Sequence, residues 1–130
     1  MRKRRILIVE DEPDICYLVK EFLRNSGYKT IVASDGFEAI QKLRRITVDL
    51  VLLDIILPVM DGWSVVDTIK KNKKLRDIPI IIFTAKPEDD RDQTYIKNYR
   101  FTVIRKPFEW RQLIKKITMH LSRDGTAVIN

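Results

Sequence analysis

Five short, mostly apolar runs, at positions 6–9, 29–33, 48–53, 78–83 and 101–105, constrain the fold more than any other feature of the chain. The first, Ile6-Leu7-Ile8-Val9, is apolar at every position, as are the core stretches of the third and fourth. A strand with one wet face alternates polar and apolar residues; an unbroken branched run belongs to a strand covered on both faces. Such strands pair in parallel, and parallel neighbours need a crossover element between them, so helices must lie between the runs and on both sides of the sheet.

The intervening segments meet that requirement. Pro13 opens a helix, with Glu10, Asp11 and Glu12 offering a carboxylate cap, and Ile15, Leu18, Val19, Phe22 and Leu23 recur at helical spacing up to about Asn25. Ser26-Gly27 stops it. Asp35-Gly36 starts a second helix with Phe37, Ile40 and Leu43 on one face, and a third covers 63–71 after the loop Leu57-Pro58-Val59-Met60-Asp61-Gly62. Trp110, Leu113, Ile114, Ile117 and Leu121 mark the last helix. The weakest pattern lies between Pro87 and Arg100, where Glu88-Asp89-Asp90-Arg91-Asp92 is charged throughout and only Tyr95, Ile96 and Tyr99 could face a core. A helix thin in apolar residues is expected there, mobile or irregular for want of contacts. The reading is thus one α/β domain over residues 1–122 and a tail or linker start over 123–130.

Composition narrows the class further. A 130-residue chain that is 45% hydrophobic and 33% charged builds one core and is neither disordered nor fibrous. No apolar run approaches the ~20 residues of a membrane span, and the basic start leads into too few apolar residues for a signal peptide. A single cysteine, Cys16, precludes an internal disulfide and suits a reducing cytoplasm. The net charge of +7 falls in patches: 1–5, 70–76, and Arg105, Lys106, Arg111, Lys115 and Lys116. No DNA-reading motif accompanies them, so direct nucleic-acid binding is not expected; the third patch suits an acidic protein partner or a docking face.

In open α/β sheets, ligands bind beyond the carboxyl ends of the strands. Glu10 and Asp11 stand there after the first run, Asp54 after the third, Thr84 at the end of the fourth and Lys106 after the fifth. Three carboxylates brought together repel unless a hard cation such as Mg²⁺ (or Mn²⁺) offsets them. Asp54 is then placed to attack a phosphoryl group and form an aspartyl phosphate, with the metal, Lys106 and Thr84 meeting the charge of the transferring oxygens. No Gly-rich phosphate cradle is present in the sequence.

These residues resemble the CheY-like receiver domain of two-component response regulators over essentially the whole chain, from Arg5 to Leu121. The resemblance is carried by 6–12, by Asp54-Ile55-Ile56-Leu57-Pro58-Val59-Met60-Asp61-Gly62, by Thr84-Ala85, and by Lys106-Pro107-Phe108. It implies a flavodoxin-like, doubly wound three-layer sandwich with sheet order 2-1-3-4-5. It also implies phosphoryl transfer to Asp54 from a sensor histidine kinase or phosphotransfer protein. By the same resemblance Asp11, Asp54 and the Ile56 backbone carbonyl hold Mg²⁺, and Glu10 acts through metal-bound water. Thr84 and Lys106 contact the phosphoryl oxygens, Ala85 leaves room for the donor, and the bond before Pro107 is cis. Such a protein is a signalling switch that promotes its own phosphorylation and dephosphorylation rather than a metabolic enzyme. It works through a face of the fourth helix, fifth strand and fifth helix, as a monomer or a phosphorylation-linked dimer.

The chain departs from the family where the switch would work. An aromatic usually stands three residues before the lysine; here the residue is Val103, so the aromatic rotamer signal is missing. Tyr99-Arg100 replaces the Gly-Ala that many receivers carry at the end of the fourth helix. Ile56 and Lys86 flank the attack path at positions that tune phosphoaspartate hydrolysis in similar receivers, and branched Ile56 predicts slow self-dephosphorylation. An alternative is a pseudo-receiver, an interaction module whose phosphorylation is idle. A phosphatase of the haloacid dehalogenase type expects Asp-x-Asp after the first strand, where this chain has Glu10-Asp11-Glu12. Trp63 and Trp110 read as helix packing or partial surface, and His120 as a solvated residue favoured by its helix dipole, with no relay role.

Overall fold

The structure, a computed structural model, describes residues 2–122; the expected tail at 123–130 lies outside them. Five strands alternate with five helices: β1 (Arg5–Val9), α1 (Pro13–Asn25), β2 (Lys29–Ala33), α2 (Gly36–Arg45), β3 (Leu50–Leu53), α3 (Gly62–Lys71), β4 (Ile80–Thr84), α4 (Asp90–Tyr99), β5 (Thr102–Arg105) and α5 (Trp110–Leu121). The strands form one parallel sheet in the order β2-β1-β3-β4-β5. Successive residues of the central strands feed opposite cores. Leu7, Val9, Val51, Leu53, Ile80 and Ile82 pack with α2 and α3, whereas Ile6, Ile8, Leu50, Leu52, Ile81 and Phe83 pack with α1 and α5. That is why those runs are apolar throughout: each fully buried branched side chain contributes about 1.5–3 kcal/mol, and neither face has water to lose it to.

Three strands start later than the sequence suggests. Val48 is buried but precedes β3, and Ile78 and Pro79 precede β4; Pro79 has no N–H to offer a ladder. Phe101 precedes β5 because its amide bonds back to the Ile96 carbonyl at the end of α4. The cap of α1 also differs from expectation. Glu12 is the N-cap residue and makes no side-chain cap bond; the amide of Glu12 instead donates to Glu10 Oε2 at 3.0 Å. Asp35 and Asp61 do cap α2 and α3, accepting from the amides of Glu38 and Ser64.

The largest departure is α4, which is a regular ten-residue helix rather than an irregular segment. Its few apolar contacts, Tyr95 and Ile96, are supplemented by polar anchors. Asp89 and Asp92 form a reciprocal capping box, and Asp92, fully buried, also accepts from Trp63 Nε1 at 2.7 Å and from Lys86 Nζ at 2.7 Å. The helix closes on Arg100, whose left-handed backbone (φ 55°) makes the turn that glycine more often makes.

Candidate functional site

Parallel register brings the carboxyl ends of β1, β3, β4 and β5 to one edge, and backbone bonds fix the residues just beyond them. The Glu10 amide donates to the Ala33 carbonyl, that of Asp54 to the Val9 carbonyl and that of Lys106 to the Thr84 carbonyl. Glu10, Asp54 and Thr84 are buried there, and Asp11 is exposed at the rim. Carboxylate oxygens of Glu10, Asp11 and Asp54 lie within 4.8 Å of one another. Lys106 reaches back across the edge, donating to Asp54 Oδ2 at 2.9 Å and to Glu10 Oε1, with its ammonium 4.5 Å from the centre of the Phe83 ring. Every buried side-chain polar atom among the described residues has a partner.

The electrostatics follow from this packing. Burial pushes the Glu10 carboxyl above the usual carboxylate range, although Lys106 and the Glu12 amide pull the other way. Burial likewise opposes the charge on Lys106, but the hydrogen bonds to Glu10 and Asp54 together hold its ammonium above the ordinary lysine value. A compact set of oxygen donors, one at the surface and two below it, with one cation inserted among them, fits a small hard ion at the open side of Asp54.

The loop after β3 shapes the edge. The Ile56 amide donates to Asp54 Oδ1 at 2.9 Å while the Ile56 side chain is 54% exposed. Gly62 touches the backbone beneath it: a Cβ there would lie 2.4 Å from Ile55 Cα and 2.8 Å from the Asp54 carbonyl oxygen, so only glycine lets α3 start this close to the acid. Thr84 accepts a hydrogen bond from the Lys86 amide at 3.2 Å, Ala85 is exposed beside it, and the Lys106–Pro107 bond is cis. Val103 is half-buried in β5 against the α2–α3 core.

Several residues stand differently from the sequence reading. Arg105 pairs with Glu88 and Lys106 belongs to the pocket, so the basic patch near α5 reduces to Arg111, Lys115 and Lys116. His120 is half-buried rather than solvated, its Nε2 2.7 Å from Thr102 Oγ1, which ties the end of α5 to β5. The Lys86 ammonium is paired with Asp89 and Asp92 at the start of α4. The roles of Asp92 and Gly62 went unread: the first was hidden in a run of charge, although the Asp89–Asp92 spacing is that of a capping box.

A parallel five-stranded sandwich with an acidic triad, a hydroxyl and a lysine at the carboxyl ends of β1, β3, β4 and β5 defines a receiver-type α/β module. The family model described as response regulator receiver domain matches residues 6–118, and the chain belongs to that family. It is 35% identical over 121 residues to regulatory protein VanRB of Enterococcus faecalis, covering 93% of this chain and 54% of the relative. It is 34% identical over 124 residues to the alkaline phosphatase synthesis transcriptional regulatory protein PhoP of Bacillus subtilis, covering 95% and 51%. The chain thus spans about half the length of these relatives. Among solved structures it superposes on a CheY-like receiver from Methanospirillum hungatei with a TM-score of 0.87 at 27% identity, covering 95% of this chain and 98% of the other. The receiver of sensor histidine kinase PA1611 from Pseudomonas aeruginosa, described with magnesium coordinated in its active-site cleft, matches with a TM-score of 0.83 at 29% identity, covering 93% and 99%.

Proposed function

We propose that this chain is a phosphoacceptor switch in which Asp54 receives a phosphoryl group from the phosphohistidine of a kinase or phosphotransfer protein. An Asp54 carboxylate oxygen forms the new bond to phosphorus as the bond from phosphorus to the donor imidazole breaks, and the imidazole nitrogen keeps the electron pair. The single observation that carries this reading is the convergence of the Glu10, Asp11 and Asp54 carboxylates at one edge, with the Lys106 ammonium bound to Glu10 and Asp54. Asp11, Asp54 and the Ile56 carbonyl would hold Mg²⁺, with Glu10 acting through water; the ion supplies charge neutralisation for the transferring oxygens. Lys106 and the Thr84 hydroxyl stand at the same edge as donors for the phosphoryl oxygens. An apolar groove lined by Ile15, Leu18, Ala85, Pro107, Phe108 and Trp110 opens beside Lys106 and gives a donor protein an apolar surface to rest on.

Mass spectrometry of the chain after exposure to acetyl phosphate and Mg²⁺ tests the reading. One phosphoryl adduct is expected on the wild type and none on Asp54→Ala. No adduct, or an equal adduct on Asp54→Ala, would leave the idle interaction module as the better description, the reading that Val103 in place of an aromatic favours.

A further inference from the structure

We propose that Lys86 couples the state of the Asp54 pocket to the packing of α3 against α4, acting through Asp92 and Trp63. The inference rests on Asp54 being the phosphoacceptor and concerns how that event leaves the site. The contacts are continuous. The Thr84 hydroxyl accepts from the Lys86 amide at 3.2 Å. The Lys86 ammonium donates to Asp92 Oδ2 at 2.7 Å and to Asp89 Oδ2 at 3.0 Å. Asp92 Oδ1 accepts from the Trp63 indole at 2.7 Å, and Trp63 stacks on Tyr95 with ring centres 4.6 Å apart and planes 8° from parallel. The line runs from β4 through the first turn of α4 to the first turn of α3.

Burial turns this line into a linkage. The Asp92 side chain is 1% exposed, and both its oxygens are committed: Oδ1 to Trp63, Oδ2 to Lys86 and to the Asp89 amide. A buried carboxylate stripped of its cation has no water to replace it, so it does not stay in place when Lys86 leaves. Asp92 either follows Lys86, drawing the first turn of α4 with it, or reorganises and releases the indole. Each response alters the environment of Trp63.

Phosphorylation supplies the displacement. The new group carries close to two negative charges and three acceptor oxygens. The Thr84 hydroxyl has a single hydrogen, and turning it to donate to a phosphoryl oxygen reorients the lone pairs that now receive the Lys86 amide. The added charge also attracts the Lys86 ammonium away from the α4 carboxylates. Both effects act in the same direction. Val103 has neither a ring to rotate nor a hydroxyl to bond, so in this chain the polar anchor of α4 takes the place of an aromatic rotamer in β5.

The indole N–H of Trp63 gives a direct readout, since the sequence holds only one other tryptophan, Trp110, and Trp110→Phe assigns the two indole signals in a ¹H–¹⁵N spectrum. Spectra of the full chain before and after acetyl phosphate and Mg²⁺ are compared at equal occupancy of Asp54, read by mass spectrometry. The Trp63 signal is expected to move on phosphorylation in the wild type and in Lys86→Arg, and to stay fixed in Lys86→Met. Asp92→Asn, which keeps an acceptor for the indole but removes the charge that Lys86 seeks, should also abolish the movement. A wild-type Trp63 signal that stays fixed while Asp54 is modified overturns the proposal, as does an equal movement in Lys86→Met. Absence of any adduct on Asp54 is a separate failure, which overturns the phosphoacceptor reading beneath it.

Discussion

At the scale of single residues, the pocket works by placing charges of both signs where each needs the other. Glu10 is buried beside Asp54, and the Lys106 ammonium, with the amides of Glu12 and Ile56, offsets the two carboxylates. Ile56 bears on the site in two parts: its amide donates to the Asp54 carboxylate, and on the proposed function its exposed branched side chain would screen that acid from water. Phosphorylated wild type is therefore expected to outlive phosphorylated Ile56→Asn, whose amide can position an attacking water. The decay of the adduct at neutral pH, followed by mass spectrometry, checks this; a wild-type lifetime equal to or shorter than that of the variant would count against it. Asp49 illustrates a structural acid of the opposite character. Burial works against its charge, but bonds from the Arg2 side chain and the Arg5 amide together hold its carboxyl below the usual range. A carboxyl depressed in the folded state lends stability above its unfolded value, about 3.9, and loses it as pH falls through the folded one. Thermal melts should thus show a fall in Tm on acidification below about pH 4 that is flatter in Asp49→Asn; an unchanged slope would show that other acids carry it. Glu10, raised rather than lowered, contributes in the opposite sense, its share declining as pH climbs from the ordinary glutamate range through the raised value.

At the scale of elements, what could be read from the sequence depended on which force holds each piece. β1, β3 and β4 were legible because burial on both faces leaves an unbroken apolar run, and strand ends identify the edge where Glu10, Asp11, Asp54, Thr84 and Lys106 meet. A helix could be placed at α4 but not its regularity, because its anchors are polar: a capping box, a lysine from the preceding loop and an indole from α3. Hydrophobic periodicity is blind to such anchors, and a buried aspartate looks in sequence like any other acid in a charged run. The strand boundaries missed for a similar reason, since Val48 and Ile78 are apolar and inward but lie outside the ladder. The β3–α3 loop combines both lessons. Asp61 at the cap and Gly62 at the first turn stand together in sequence, yet only the 2.4 Å approach to Ile55 Cα reveals why the second must be glycine. Gly62→Ala is expected to destabilise the fold by about 2 kcal/mol, because the clash is with backbone that cannot rotate away. Urea unfolding measures it, and a loss within experimental error of zero would mean that the loop yields without strain.

At the scale of the whole molecule, the net charge of +7 resolves into regions of different character. Arg2 and Arg4 share the single carboxylate of Asp49, Arg105 pairs with Glu88 and Lys106 lies within the pocket, while α5 presents Arg111, Lys115 and Lys116 along one groove. The edge formed by Glu10, Asp11 and Asp54 is thus a local negative cluster in a chain of positive net charge. The sheet itself carries a further consequence. Its three central strands line both cores at once, so each is a wall shared by two rooms. Stripping the α1–α5 layer would bare Ile6, Ile8, Leu50 and Leu52 to water, and stripping the other would bare their neighbours in the same strands. The two layers therefore stand or fall together, and the molecule is expected to melt as one cooperative unit, with the backbone amides of β1, β3 and β4 exchanging with solvent later than those of the edge strands.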